Sequence, residues 1–341
     1  MVVRKKSFLK SLLTKVMADS KMSTAVQNGG SLVKLDNLTR VVYSKDIEFK
    51  ALPIMRFFQF ATVKTELGKT PGLTIQMLTY DNLKLGGKLV EGTKMTTQAL
   101  SSSMKSITVE EKGNAVAVSE LLLQSSFDDI MASATTLLGR DYALVLDCEL
   151  RDTALAGTNV IYASKSTGEK VSARTELDAT CTFKVSTVKD AVEILATNNA
   201  PKYNGANWIC FVHPHQSRNL RDDSAWIEAS KYGKPDQLFT GEIGMIDDVK
   251  FIETTLMCNG KAPESDPAFK NELKNGVSSN TVDVYKSVIF GDNYYAIAFG
   301  LPVELRDNGV VDFGREHGLA WYAIWGTGRL HDEYGVVIET A

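Results

Sequence analysis

Three stretches of this chain carry residue types that could do chemistry. Gly68-Lys69-Thr70 has the ending of a phosphate-binding loop. Such a loop needs a glycine five residues earlier, so that backbone amides can wrap the phosphates. Position 63 is Val63, and Pro71 would interrupt the helix that has to follow. His213-Pro214-His215, with Asp222-Asp223 nearby, is the one histidine cluster. A metal needs three or four convergent ligands, and neighbours on an extended chain point to opposite sides. A strand-end pair held by ordinary hydrogen bonds is expected there. The acidic pairs Glu110-Glu111 and Asp247-Asp248 read as solvated charge in polar turns. No nucleophile elbow, zinc-protease helix or dinucleotide fingerprint occurs. Cys148, Cys181, Cys210 and Cys258 are not at metal-ligand or redox spacing, so all four are expected to be unbridged. The expectation is a protein with no catalytic residue, no cofactor and no metal: not an enzyme.

The bulk properties fit a soluble globular protein, 44% hydrophobic and 23% charged over 341 residues, enough for one large or two smaller domains. No apolar run approaches a membrane span of roughly 18 residues, so no membrane partner is expected. A net charge of −3 argues against a dedicated nucleic-acid binder. The charge is uneven, however. Residues 1–50 hold ten Lys and Arg against four Asp and Glu, a surplus of six, so the rest must carry −9 to reach the total of −3. A basic arm on an acidic body points one end toward a polyanion. The first residues lack the apolar core of a secretory signal, and their basic, acid-poor character resembles a transit peptide only loosely.

The elements that would position these residues follow from periodicity. Phe8, Leu9, Leu12, Leu13, Val16 and Met17 recur at helical spacing beside Lys5, Lys6, Lys10 and Lys15. This short basic helix either docks on its own domain or lies on a neighbour with its lysines toward nucleic acid. Residues 68–119 read as extended strands around a long mobile hairpin, roughly Asp81 to Lys105, with Lys112-Gly113-Asn114 as a later break. From Ser125 to Ala156 the pattern is helical, about nine turns, with Ser125 or Ser126 as cap and Asp128 and Asp129 near the positive end of the dipole. An α/β region follows: a helix over Thr187–Thr197, a buried strand over Trp208–Val212, a helix over Gln216–Ser230, and strands at Val249–Ile252, Val282–Phe290 and Tyr294–Phe299. Trp321–Trp325 and Val336–Ile338 read as closing strands.

The run Gly241-Glu242-Ile243-Gly244-Met245-Ile246-Asp247-Asp248-Val249-Lys250-Phe251-Ile252-Glu253-Thr254-Thr255 resembles a signature of tailed-bacteriophage major capsid proteins, closest to the coliphage N-four-type family. Phe211-Val212-His213-Pro214, Leu220, Trp226, Lys231-Tyr232-Gly233, Leu89-Val90-Glu91-Gly92 and Phe127-Asp128-Asp129 fit the same pattern, over roughly residues 50–341. The resemblance implies an α+β Johnson fold, the capsid fold of a Hong Kong coliphage. Residues 1–52 would be a basic N-terminal arm. Residues 53–157 would be a peripheral part with the E-loop (about 68–119) and spine helix (125–156), 158–300 an axial domain, and 301–341 a return to the peripheral domain.

It further implies self-assembly, as pentamers and hexamers, into an icosahedral virion shell made in the bacterial host cytoplasm. Non-specifically held double-stranded DNA, and scaffolding, portal and decoration proteins, would be its other partners. Arg4, Lys5, Lys6 and Lys10 would face the interior DNA. Leu85, Gly86, Gly87, Glu91 and Gly92 would form the intersubunit E-loop. Gly241, Ile243 and Gly244 would make the axial-domain turn, where glycines permit unusual backbone angles. Some relatives weld subunits by a Lys–Asn bond. Lys84, Lys88 and Lys94 lie in the hairpin, but no matching Asn and acid can be placed, so no crosslink is expected. An encapsulin-like compartment shell is the alternative, and the basic arm favours the phage.

Overall fold

The computed structural model describes residues 55–65, 74–80, most of 83–126, 129–224, 226, 242–257 and 282–341, with the backbone of two short strands before them. The chain divides into two compact units, Met1–Lys50 and Ala51–Ala341. In the first, β1 (Thr24–Ala25) pairs antiparallel with β2 (Val33–Lys34).

The second unit is built on two sheets. The larger has six strands: β7 (Val160–Tyr162), β8 (Trp208–Val212), β9 (Glu242–Ile246), β10 (Val249–Glu253), β11 (Tyr285–Phe290) and β14 (Gly335–Thr340). Their spatial order is β7-β14-β11-β8-β10-β9. The parallel pair β8 and β10 needs a crossover, and helix α4 (Pro214–Arg221) lies within it. Strands β8 and β14 are buried at every position. Strand β8 is accordingly apolar on both faces, and so is β14 as far as Ile338, while the buried Glu339 that follows is paired with Arg174 and Lys286. Cys210, Val212, Val336 and Ile338 pack on one face with Val188, Ala191 and Leu195 of helix α3 (Val185–Thr197). Phe211, Phe290 and Val337 pack on the other with Phe57, Leu150 and Ala154.

The smaller sheet orders β3 (Thr62–Lys64), β12 (Tyr295–Val311), β13 (Glu316–Arg329) and β6 (Glu110–Ser119) side by side. Helix α2 (Ile130–Leu155) lies along it and spans about 39 Å at 1.5 Å per residue. Polar bonds fix that docking. Trp321 Nε1 donates to Asp141 at 2.9 Å, and Trp325 Nε1 donates to Glu149 at 2.7 Å. Lys112 on β6 pairs with the same Glu149. On the sheet's other face, Ala296 and Ala298 meet Ile75, Ile107 and Val109 at the root of a separate two-stranded ladder. That ladder is β4 (Thr74–Tyr80) against β5 (Ser102–Thr108).

Four readings change. The helix does not run on from Ser125. A short helix α1 (Glu120–Ser125) ends at Ser126, whose ψ of 146° is extended. The long helix then starts afresh with Asp129 as cap, accepting from the Ala132 N–H at 3.2 Å. Glu110-Glu111 and Lys112-Gly113-Asn114 are not turns but parts of strand β6, paired with Trp325 through Trp321. The strand expected to stop at Phe299 continues to Val311. Sheet membership also does not divide at residue 300, because β14 pairs with β11 in the six-stranded sheet.

Candidate assembly surface

One strongly exposed surface of the second unit is the outer half of the β12–β13 hairpin. Its root at Tyr295–Ala298 is buried, but from Pro302 to Val311 every residue of β12 is exposed. Exposed apolar side chains recur there: Val303, Leu305, Val310 and Val311. Arg306 lies over the Tyr322 ring at 3.8 Å and stiffens the ribbon. At the tip Asp312, Phe313 and Gly314 have φ of 48°, 54° and 94°. Gly314 takes that conformation freely, whereas a bulky aromatic residue pays for it with local strain. Phe313 is also fully exposed, at 106% of its reference area. A strained, solvated phenyl ring at the end of a long ribbon has nothing within its own unit to stabilise it. Sequence reading missed this feature; the turn signals Asn308-Gly309 and Asp312-Phe313-Gly314 between two β-rich runs were the available sign.

The second protrusion extends from the β4–β5 ladder and carries the expected E-loop residues. Leu85 is fully exposed at 100%, and Gly86, Gly87, Glu91 and Gly92 are exposed beside it. Gly92 has φ of +80°, so a glycine is required there. Tyr80, Leu83, Met95, Leu100 and Met104 add exposed apolar groups. Leu121 and Leu122 of α1 do the same at the end of β6. The ladder proper runs only from Thr74 to Thr108, since Glu110–Ser119 belongs to the four-stranded sheet.

The other expected site residues fall differently. Ile243 and Gly244 stand in strand β9, not in a turn. The turn that follows is Asp247-Asp248, both left-handed at φ of 48° and 61°. Gly244 itself has φ of +144°, and a Cβ there would sit 2.9 Å from the Trp226 ring. Gly241, Arg4, Lys5, Lys6 and Lys10 lie outside the described residues. His213 caps helix α4, with Nδ1 accepting from the His215 N–H at 3.2 Å, and His215 stacks on Tyr285 at 4.3 Å. Burial lowers the His213 imidazole to about 4, with His215 adding to the effect and Glu253 opposing it. The histidine pair is therefore committed to local structure. Cys148, Cys181 and Cys210 are buried and not disulfide-bonded, and Cys258 lies outside the described residues. Among the described residues, no helix is long and apolar enough to cross a membrane.

Two sheets locked by one long helix, with two exposed ribbons projecting from them, make up a fold of the Hong Kong phage capsid type. A family model for phage capsid protein matches residues 151–337, more than half of the chain, and the chain belongs to that family. It is a major capsid protein, a component of the virion shell. The head structure of Helicobacter pylori bacteriophage KHP40 is similar at TM-score 0.70 and 13% identity, covering 92% of this chain and 99% of that one. The cyanophage Pam1 capsid matches at TM-score 0.69 and 14% identity, over 92% and 99% of the two chains. The capsid of cyanophage P-SCSP1u matches at 0.68 and 14%, over 93% and 97%. At such identities the likeness speaks for the fold. No curated protein sequence matches the chain.

Proposed function

We propose that this chain assembles as pentamers and hexamers into an icosahedral shell around non-specifically held double-stranded DNA, and that it does so without catalysing a reaction. The observation that carries this reading is the pair of exposed ribbons with apolar side chains, one ending on the strained Phe313 and the other carrying Leu85. Exposed ribbons that carry this many apolar side chains mark a surface for interaction with another chain. The described surface of one copy offers both the ribbons and the body they would lie on, and head-to-tail contacts of that kind close into rings.

In this reading the six-stranded sheet is the core of the axial domain. The four-stranded sheet and α2 form the peripheral domain. Leu85, Gly86, Gly87, Glu91 and Gly92 lie on an adjacent subunit. Gly241, together with Ile243 and Gly244 of β9, sits near the local symmetry axis. Arg4, Lys5, Lys6 and Lys10 face inward and neutralise phosphates without reading bases. Synthesis is in the host cytoplasm, with scaffolding, portal and decoration proteins as further partners. The N-four-type grouping rests on the Gly241–Thr255 motif. The phage capsid family favours this assignment over an encapsulin-like shell.

Electron microscopy and nuclease protection of particles from phage-infected cells test the reading. Closed shells holding nuclease-resistant DNA are expected, with less DNA retained when Arg4, Lys5, Lys6 and Lys10 are replaced by Gln. Shells filled with protein cargo and no DNA would overturn it.

A further inference from the structure

A recessed pocket of about 430 Å³ opens where the root of the β4–β5 ladder meets β3 and the turn after β13. Lys64, Lys105 and His331 line it, and no acidic residue does. Lys64 sits on β3 opposite Ala298, and Lys105 sits on β5 opposite Met77, so strands of two separate sheets bring the two lysines to one cleft. Lys112, Lys165, Lys202 and Lys286 have their carboxylate partners elsewhere. His331 packs at a tilt against Tyr334, ring centroids 4.7 Å apart, and is 3.7 Å from Glu333, which lies outside the lining. The rest of the lining mixes the apolar Met77, Leu330 and Tyr334 with the polar Thr79 and Asn293.

Two lysines and an imidazole, with hydrogen-bonding Thr79 and Asn293 and the apolar Met77 and Leu330 beside them, suit a carboxylate carried on a methylene stem. A nucleic-acid strand is matched instead by an open polar track that follows successive phosphates. The acid is available on the same protein, because residues 51–341 carry the −9 that offsets the basic arm. In a shell of identical chains, an acid on one copy meeting a pocket on the next is a heterologous contact, the kind that closes rings.

We infer that the Lys64–Lys105–His331 pocket receives an acidic side chain of a second copy of this chain. The inference rests on the shell-forming reading and names one of its contacts. The sign complementarity would fix register between neighbours more than it would add raw affinity.

The test is zero-length carbodiimide coupling of shells assembled from an equal mixture of light- and heavy-nitrogen chains. Peptides joining Lys64 or Lys105 to an Asp or Glu, in mixed-label pairs, are the expected result. Same-label pairs alone would place the acid on the same chain and overturn the inference. Absence of coupling at both lysines, while other lysines in the digest react, would also overturn it. So would coupling that appears only after DNA is removed, which would assign the pocket to phosphate. If wild-type chains form no shells at all, the assembly reading fails, and this inference with it. As an independent measure, Lys64→Glu combined with Lys105→Glu should raise the critical concentration for assembly about tenfold or more. The thermal midpoint of the soluble subunit should stay unchanged, and a normal critical concentration for the double variant would count against the pocket.

Discussion

Asp147, in the middle of the long helix, accepts the backbone N–H of Phe57 at 2.9 Å, across 90 positions of sequence. The same carboxylate takes the N–H groups of Arg56 and Phe58, so one buried side chain holds the segment by which the chain enters the second unit. Burial pushes the Asp147 carboxyl above the usual range, against the pull of those three amides and of Arg151. Phe57 is fully buried beside it, and its carbonyl accepts from the Tyr295 hydroxyl at 2.7 Å. The long helix is thus tied both to the entry segment and, through Tyr295, to β12.

Asp147→Ala should therefore cost more than its lost contacts, because three amide donors are left without their acceptor. The expected loss is about 3 kcal/mol of unfolding free energy, read by urea denaturation of the soluble subunit. Limited proteolysis should also find new cleavage near Phe57. A loss below about 0.5 kcal/mol, the range of ordinary surface changes, would show that the clamp does not hold.

Two glycines give opposite predictions for the same substitution. Gly326 lies in β13 where a Cβ would be 2.0 Å from the Thr108 carbonyl oxygen, and backbone cannot swing aside. Gly326→Ala should destabilise by about 3 kcal/mol or change the path between β5 and β6. Gly139 lies inside α2 with nothing within 4 Å of its Cβ position. Gly139→Ala should stabilise by about 0.5–1 kcal/mol, as an open helical site allows. Thermal melts of both variants check the contrast.

His213 gives a pH dependence with a definite sign. Unfolded, a histidine titrates at about 6.5; in the folded chain it is lowered to about 4. Between those values the unfolded chain binds a proton that the folded chain does not. Stability through this group is therefore complete above about pH 6.5 and is lost as pH falls toward about 4. Allowing for partial exposure, the loss is on the order of 2 kcal/mol. The charged groups facing His213 are His215 and Glu253, with Tyr285 stacked against the pair. His213→Asn keeps a capping side chain without a titrating ring, so its urea midpoints should fall less across this window. Parallel pH profiles would remove His213 as the cause.

Phe313 separates folding from assembly. Phe313→Gly removes a strained φ of 54° and a side chain that touches nothing in its own unit. The soluble subunit should keep its stability or gain about 1 kcal/mol. Shell formation, followed by light scattering, should weaken. Unchanged assembly would remove the ribbon tip from the set of intersubunit contacts.

The sequence by itself determined the elements whose burial repeats along the chain. Trp208-Ile209-Cys210-Phe211-Val212 reads as a central strand, and it is buried at every position. Thr187–Thr197 and the long helix announce themselves through periodic apolar residues, and the Gly241–Thr255 run pointed to the capsid family to which the chain belongs. The strand-end reading of His213 and His215 also held, because proline after the first histidine starts a helix there.

Tertiary structure alone decided the rest. The outer half of β12 is exposed on both faces, so no alternation marks it, and only its ladder with residues 316–329 makes it a strand. Glu110-Glu111 reads as a turn until Ile324 and Trp325 pair with it from more than 200 residues away. Gly244 looks like a hinge glycine, yet the Trp226 ring and a φ of +144° within β9 are what require it. Asp147 looks like one more polar residue on a helix until Phe57 folds over it. Periodicity reports how a segment meets a surface. It carries no information about which distant backbone supplies the other half of a ladder, or which amide a buried carboxylate will meet.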